Sequence, residues 1–144
     1  MKRIRFVKTV VAIIEYADNS ILLQRRAVPP YKGMWGLPGG HMKPGENETE
    51  ALRREVLEEV GVEIQGLWKL GTYLEEGRIG NLIKYYLAKC YAAKPIKGKP
   101  RPQPGEVSDV RLFGLQEIPC ELSFRHRDMI RDYDIINRQR RCTT

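Results

Sequence analysis

The chain has 144 residues, a formal charge of +7, 42% apolar and 30% charged side chains. That length suits a single domain over residues 1–144 with a real core, and the composition is that of an ordinary soluble globular protein. No apolar run approaches the roughly 20 residues that a bilayer-spanning helix needs. The basic balance suits a polyanionic ligand, although charge by itself favours the plainer reading of a well-solvated surface.

In chain order, Phe6–Tyr16 is an apolar β-branched run and Ser20–Arg26 a second. Asp18 and Asn19 lie between them, so the pair reads as a hairpin. "VPPYKGMWGLPGG" is a Pro/Gly-rich loop with a short strand near Trp35–Leu37. A helix is expected over Glu48–Val60, then strands at Leu67–Leu74 and Asn81–Ala93 separated by the polar "EEGRIGN". "AKPIKGKPRPQPGE" carries four prolines between Ala93 and Glu106 and is expected to be neither helix nor central strand. A strand at Val107–Gly114 and a final helix from about Phe124 to Asn137 follow, leaving residues 138–144 as a frayed tail. Strands interleaved with two helices indicate an α/β domain with a mixed sheet between helices.

Cys90, Cys120 and Cys142 are odd in number and widely spaced, matching neither a zinc pattern nor a disulfide framework. Reduced thiols and a cytoplasmic location are the expectation. The opening "MKRIRFVKTVVAIIEY" is basic and then apolar, but Lys8 and Thr9 interrupt it and no small-residue cleavage site follows. It is read as a core strand.

The chemistry concentrates in "GHMKPGENETEALRREVLEEVGV", Gly40 to Val62, which holds six of the eighteen acidic residues. Asn47 is an N-cap with Glu50 three residues on, and Gly61 supplies the left-handed end. At about 100° per residue Leu52, Val56 and Val60 form one apolar stripe. Glu55, Glu58 and Glu59, at i, i+3 and i+4, share an adjoining face where like charges repel by a few tenths of a kcal/mol per pair. Two readings fit these positions: an acidic face solvated and paired with Arg53 and Arg54, or a hard-oxygen ligand set for Mg²⁺ or Mn²⁺. The preceding "LPGGHMKPGE" favours the second. Its Gly39, Gly40 and Gly45 allow close backbone approach, and Glu46 sits just before the helix, as a cradle for a metal–phosphate complex requires.

Together these residues resemble the Nudix hydrolase signature: G, five residues, E, seven residues, then R-E-U-x-E-E-x-G-U with U a bulky aliphatic. Gly40, Glu46 and Arg54-Glu55-Val56-Leu57-Glu58-Glu59-Val60-Gly61-Val62 match all nine specified positions without a gap. "LLQRR" before this box and "EVSDVRLFGLQEIP" after it extend the resemblance over about Phe6 to Asn137. The resemblance implies the Nudix-type α/β/α sandwich and metal-dependent cleavage of a nucleoside diphosphate linked to another group. It implies metal ligation by Glu55, Glu59, Glu58 and the Gly40 carbonyl, with Arg54 holding a helix carboxylate and Glu46 bracing the loop. Family members differ in the general base; Glu58 and Glu106 are the candidates here, with Asp109 weaker.

For substrate contacts, Gly39 and Gly40 offer backbone, Arg26 meets either a phosphate or a salt-bridge partner, and Trp35 either stacks on a base or closes the core. His41 could hydrogen-bond a phosphate or base. Tyr85 and Tyr86 point to opposite sheet faces, so at most one sees a ligand. His126 is assigned to a solvated helix face. Nucleoside triphosphates, oxidised or deoxy forms included, lead as substrates. ADP-ribose, another nucleotide sugar or a dinucleoside polyphosphate is the alternative; "GTYLEEGRIG" lacks a proline that many ADP-ribose hydrolases carry there. A non-catalytic nucleotide sensor would be expected to lose helix glutamates, and this chain keeps them. Nucleic acid is a disfavoured partner, since no aromatic-basic RNA motif appears, and a homodimer is compatible with the family.

Overall fold

The computed structural model describes residues 5–142. The basic start of the chain and the last two residues of the expected tail lie outside them. β1 (Phe6–Tyr16) alternates its side chains between two buried environments, as a strand covered on both faces must. Val10, Ala12 and Ile14 share one cluster with Ala51, Leu52, Val56 and Val60 of α1 (Glu48–Val60). Val11 and Ile13 share the other with Met129, Ile130 and Tyr133 of α2 (His126–Cys142). The molecule is therefore the expected α/β/α sandwich, and the predicted apolar stripe of α1 is the face it buries.

Asp18 and Asn19, at φ 61° and 54°, form the tight turn from β1 into β2 (Ser20–Arg26). β1 and β2 pair at two positions only, Glu15↔Ile21 and Tyr16↔Ser20. β1 then takes β4 (Gly39–His41) at Thr9 to Val11, while β2 pairs with β3 (Trp35–Gly36) and β7 (Val107–Gly114). The other edge of β1 runs parallel to β6 (Leu82–Lys97) from Phe6↔Tyr85 to Ile14↔Ala93. β5 (Glu63–Ile79) is antiparallel to β6 at the edge. Because β1 exchanges β2 for β4, a cleft opens between Thr9–Val11 and Gln24–Arg26.

Several boundaries differ from the sequence reading. "EEGRIGN" is strand up to Ile79, with the turn confined to Gly80 and Asn81. Its charged residues hid a period-two pattern in which Tyr73, Glu75 and Gly77 face inward. β6 continues through Pro95 to Lys97. Beyond Ala93 it is paired with β5 alone, and a singly paired strand tolerates a residue without an N–H. β4 begins inside the expected Pro/Gly-rich loop, and its two glycines pair with β1. The supposedly frayed tail is helical to Cys142. It is held by Arg138 to Asp134 at 3.1 Å, by Arg141 to Asn19 at 2.8 Å, and by Arg140 over the Trp68 ring.

Candidate active site

The glutamate helix begins as its sequence requires. Asn47 Oδ1 accepts the Glu50 N–H at 2.8 Å, and Glu50 answers through the Asn47 side-chain amide at 2.6 Å. At the other end Gly61, at φ 71°, donates to the Leu57 carbonyl. Two of the last α1 carbonyls, which have no partner within a helix, are met by the proline-rich loop: Arg101 N–H donates to Val60 O and Gln103 N–H to Glu59 O, each at 3.0 Å. That contact is the loop's structural role. It carries Gln103 and Glu106 to the mouth of a cleft of about 400 Å³.

Arg54 organises the acidic wall of the cleft. It grips Glu46 through two bonds of 2.7 and 2.8 Å, reaches Glu55 at 2.8 Å and Glu58 at 3.2 Å, and donates to the His41 carbonyl. The Arg54 bonds and the Lys43 N–H lower the Glu46 pKa to about 2, so Glu46 braces the loop as expected. Burial pushes Glu55 above the ordinary carboxylate range. Glu59 is driven up to about 7, first by burial; the Gln24 amide and the Gly39 N–H oppose this, and the charge of Glu55 adds to it. A Cβ at Gly40 would stand 2.2 Å from Glu55 Oε2, so any side chain there has to displace that carboxylate.

Among the described residues no three acidic, His or Cys side chains converge as a ready metal cage. Glu55 and Glu58 lean to Arg54, while Glu59 faces Gln24 and the Gly39 N–H. The donor set nevertheless suits a hard divalent cation. All three carboxylates line one cleft, two of them are buried enough to resist ionisation, and bound positive charge is what relieves that penalty. Arg54 can release Glu55 and Glu58 to such an ion and stay anchored on Glu46.

The opposite wall comes from β2, β5, β6 and the turn before α2. Arg26 lines it, held by its Nε donating to Pro30 O at 2.7 Å and by stacking over Phe124 at 5.1 Å. Burial lowers its pKa, and Glu59, Tyr86, Glu106 and Glu75 act to restore it. Arg26 thus stands between the helix carboxylates and the aromatic end of the cleft, without a direct salt bridge to either. Gly39, Gly40 and His41 line the cleft too, and Glu58 and Glu106 both reach it. Of the tyrosines, Tyr86 faces the cleft and Tyr85 does not.

Three expectations need correction. Trp35 does not line the cleft: it packs edge-on against Phe113 at 5.1 Å beneath Arg111, in the core under α2. Asp109 pairs with Arg111 on β7 and is likewise outside the cleft. His126 is buried at 4% exposure rather than solvated. Its Nδ1 accepts the Leu37 N–H at 2.9 Å, and burial lowers its pKa to about 3, so the ring is neutral with its proton on Nε2. The charged neighbours in "RHRDMIR" masked this.

The reading of the sequence also missed Glu75, Phe124, Thr9 and Gln24, all of which line the cleft. Glu75 is 4% exposed with its pKa raised to about 7 by burial. Thr9 Oγ1 and Gln24 Oε1 are buried without a hydrogen-bond partner, on residues that line the cleft. Only Glu75 left a trace in the sequence, as the polar member of the inward Tyr73-x-Glu75-x-Gly77 alternation.

A mixed sheet between two helices, with a glycine strand presenting backbone to a carboxylate-lined helix, defines a Nudix-type domain, and the chain belongs to the NUDIX domain family, which it matches over residues 5–133. It is 33% identical over 118 residues to an ADP-ribose pyrophosphatase of Methanocaldococcus jannaschii, covering 81% of this chain and 66% of that protein. It is 39% identical over 59 residues to the CTP pyrophosphohydrolase of Escherichia coli, covering 41% of this chain and 44% of the relative. The chain thus spans about two thirds, or less than half, of these relatives' lengths. Among solved structures it resembles a MutT NUDIX hydrolase from Burkholderia pseudomallei (TM-score 0.79, 28% identity, 89% of this chain and 98% of that one). It also resembles the NUDIX domain of Shewanella oneidensis NrtR complexed with ADP ribose (TM-score 0.74, 27% identity, 90% and 87%).

Proposed function

We propose that this chain hydrolyses the pyrophosphate bond of a nucleoside diphosphate joined to a second group, with ADP-ribose as the leading substrate and Mg²⁺ or Mn²⁺ as cofactor. The observation that carries this reading is the sharing of one cleft by Glu55, Glu58 and Glu59, the Arg26 guanidinium and an aromatic end lined by Tyr86 and Phe124. The ion would be held by Glu55, Glu59, Glu58 and the Gly40 carbonyl, and when bound it supplies charge neutralisation and an acidified water. Arg26 binds a phosphate oxygen and offsets charge on the far side of the diphosphate. Glu106, presented by the loop seated on the end of α1, accepts the proton of the attacking water, with Glu58 as the rival base. Water adds to one phosphorus, the bridging P–O bond breaks, and AMP leaves with ribose 5-phosphate.

ADP-ribose leads because the pyrophosphatase similarity extends over 118 residues, whereas the CTP and 8-oxo-dGTP relatives align over 59 and 63. This reverses the order of preference drawn from the sequence, and nucleoside triphosphates become the second reading on the strength of those shorter matches. A panel of ADP-ribose, other nucleotide sugars, dinucleoside polyphosphates and triphosphates, with products identified by mass spectrometry, separates the two. The proposal expects AMP and ribose 5-phosphate from ADP-ribose, abolished by chelation. Faster release of pyrophosphate from triphosphates would instead establish the second reading. Nucleotide binding without metal-dependent turnover of any substrate would make the chain a sensor.

A further inference from the structure

Glu75 is a buried acid on the edge strand β5, remote in sequence from the helix carboxylates, yet it faces the same cleft. It is held in place. Its Oε2 accepts the Arg125 N–H at 2.9 Å, and the neutral His126 ring stands with Nε2 at 3.9 Å. Around it the surface is aromatic. Phe124 packs against Tyr31 at 4.7 Å and edge-on against Tyr86 at 5.3 Å, with the Arg26 guanidinium over its face. Phe124 and Tyr31 both hold left-handed backbone, at φ 51° and 61°, a conformation that side-chain-bearing residues keep only when their surroundings impose it. Glu75 acts electrostatically on Tyr31, Tyr86 and Arg26, so it belongs to this aromatic end.

An aromatic end of the cleft with one fixed carboxylate suits a planar heterocycle that donates a hydrogen bond from its edge. We propose that Glu75 is a specificity-determining residue that reads the exocyclic amino group of the nucleobase, so that the cleft selects adenine over hypoxanthine. This rests on the nucleoside-diphosphate reading above and adds the identity of the base to it. Adenine presents its amino N–H to the carboxylate. Hypoxanthine presents a carbonyl at that position, whose lone pairs face those of the ionised Glu75 with no proton between them, so the discrimination belongs to the pH range above about 7 where the acid has lost its proton. Because the acid is desolvated, mispairing it should cost roughly 10–100-fold in affinity, which is about 1.4–2.7 kcal/mol. A purely structural Glu75, kept for its bond to the Arg125 N–H before α2, would show no such discrimination.

The test is the dissociation constants of ADP-ribose and inosine diphosphate ribose, measured calorimetrically at about pH 8, where Glu75 is ionised, with chelator present so that neither turns over. The wild-type protein should bind ADP-ribose about 10–100-fold more tightly. Glu75→Gln keeps an oxygen for the Arg125 N–H and gains an amide donor for a carbonyl, so it should bring the two constants together or invert their order. Equal wild-type affinities, or no binding of either compound, overturn the proposal without requiring any variant to fold. Discrimination that survives unchanged in a folded Glu75→Gln protein overturns it as well. Absence of hydrolysis alongside clear base discrimination would count against the catalytic reading and leave this one standing.

Discussion

At the residue scale, Glu59 and Arg54 divide the work of the acidic wall. Glu59 is buried and free of Arg54, so a bound cation is its natural partner. Glu59→Gln, and Glu55→Gln beside it, should lower kcat by about two orders of magnitude or more in a Mg²⁺ assay while the melting curve stays cooperative. Arg54 touches Glu46, Glu55 and Glu58 but is not itself a metal ligand. Arg54→Ala should therefore raise the metal concentration for half-maximal rate by about 10–100-fold. Arg54→Lys should recover only part of that, because an ammonium cannot reproduce the two-bond grip on Glu46.

The raised acids also set a pH dependence. Glu59 has a folded-state pKa of about 7 against an ordinary 4.5. Its favourable contribution to stability is fully present below pH 4.5 and is lost as the pH rises through 7. In chelator, melting temperature followed from pH 5 to 8 should fall less steeply for Glu59→Gln than for wild type. Parallel curves would mean that Glu59 is not held in a penalised state.

At the element scale, β4 shows why two adjacent glycines are not equivalent. A Cβ at Gly39 would lie 2.1 Å from the Val10 carbonyl, which the β1–β4 pairing fixes. The three atoms nearest a Cβ at Gly40 all belong to the movable end of Glu55. Gly39→Ala should accordingly destabilise the fold by about 2 kcal/mol or more in denaturant melts. Gly40→Ala should keep most of its stability and lose activity by displacing Glu55, a proposed metal ligand. The α1 helix was fully legible in the sequence, because its N-cap, its left-handed end and its stripe are local codes. The ends of β5 and β6 were not. Their inward residues include Glu75, and an acid on a buried strand face breaks the hydrophobic alternation that marks a strand. His126 escaped for a related reason: the Leu37 N–H that its buried ring accepts lies 89 positions away.

At the scale of the whole molecule, the cleft exists because β1 pairs β2 at its end and β4 along its middle. Neither the pairing nor the meeting of Arg26, Glu75, Phe124 and the helix glutamates can be read from spacing. Those residues come from four separate parts of the chain, and only the sheet brings them together. The nine-position box revealed the acidic wall of the cleft, and tertiary structure supplied the wall lined by Arg26, Glu75, Tyr86 and Phe124.

Direct measurement of Mn²⁺ binding by electron paramagnetic resonance bears most immediately on the carboxylates' role, since it needs no choice of substrate. The wild-type protein should take up Mn²⁺ at the cleft, displaceable by Mg²⁺, and Glu55→Gln and Glu59→Gln should each weaken that binding by at least about tenfold. Folded variants that bind Mn²⁺ as tightly as wild type would show that these glutamates do not hold the ion.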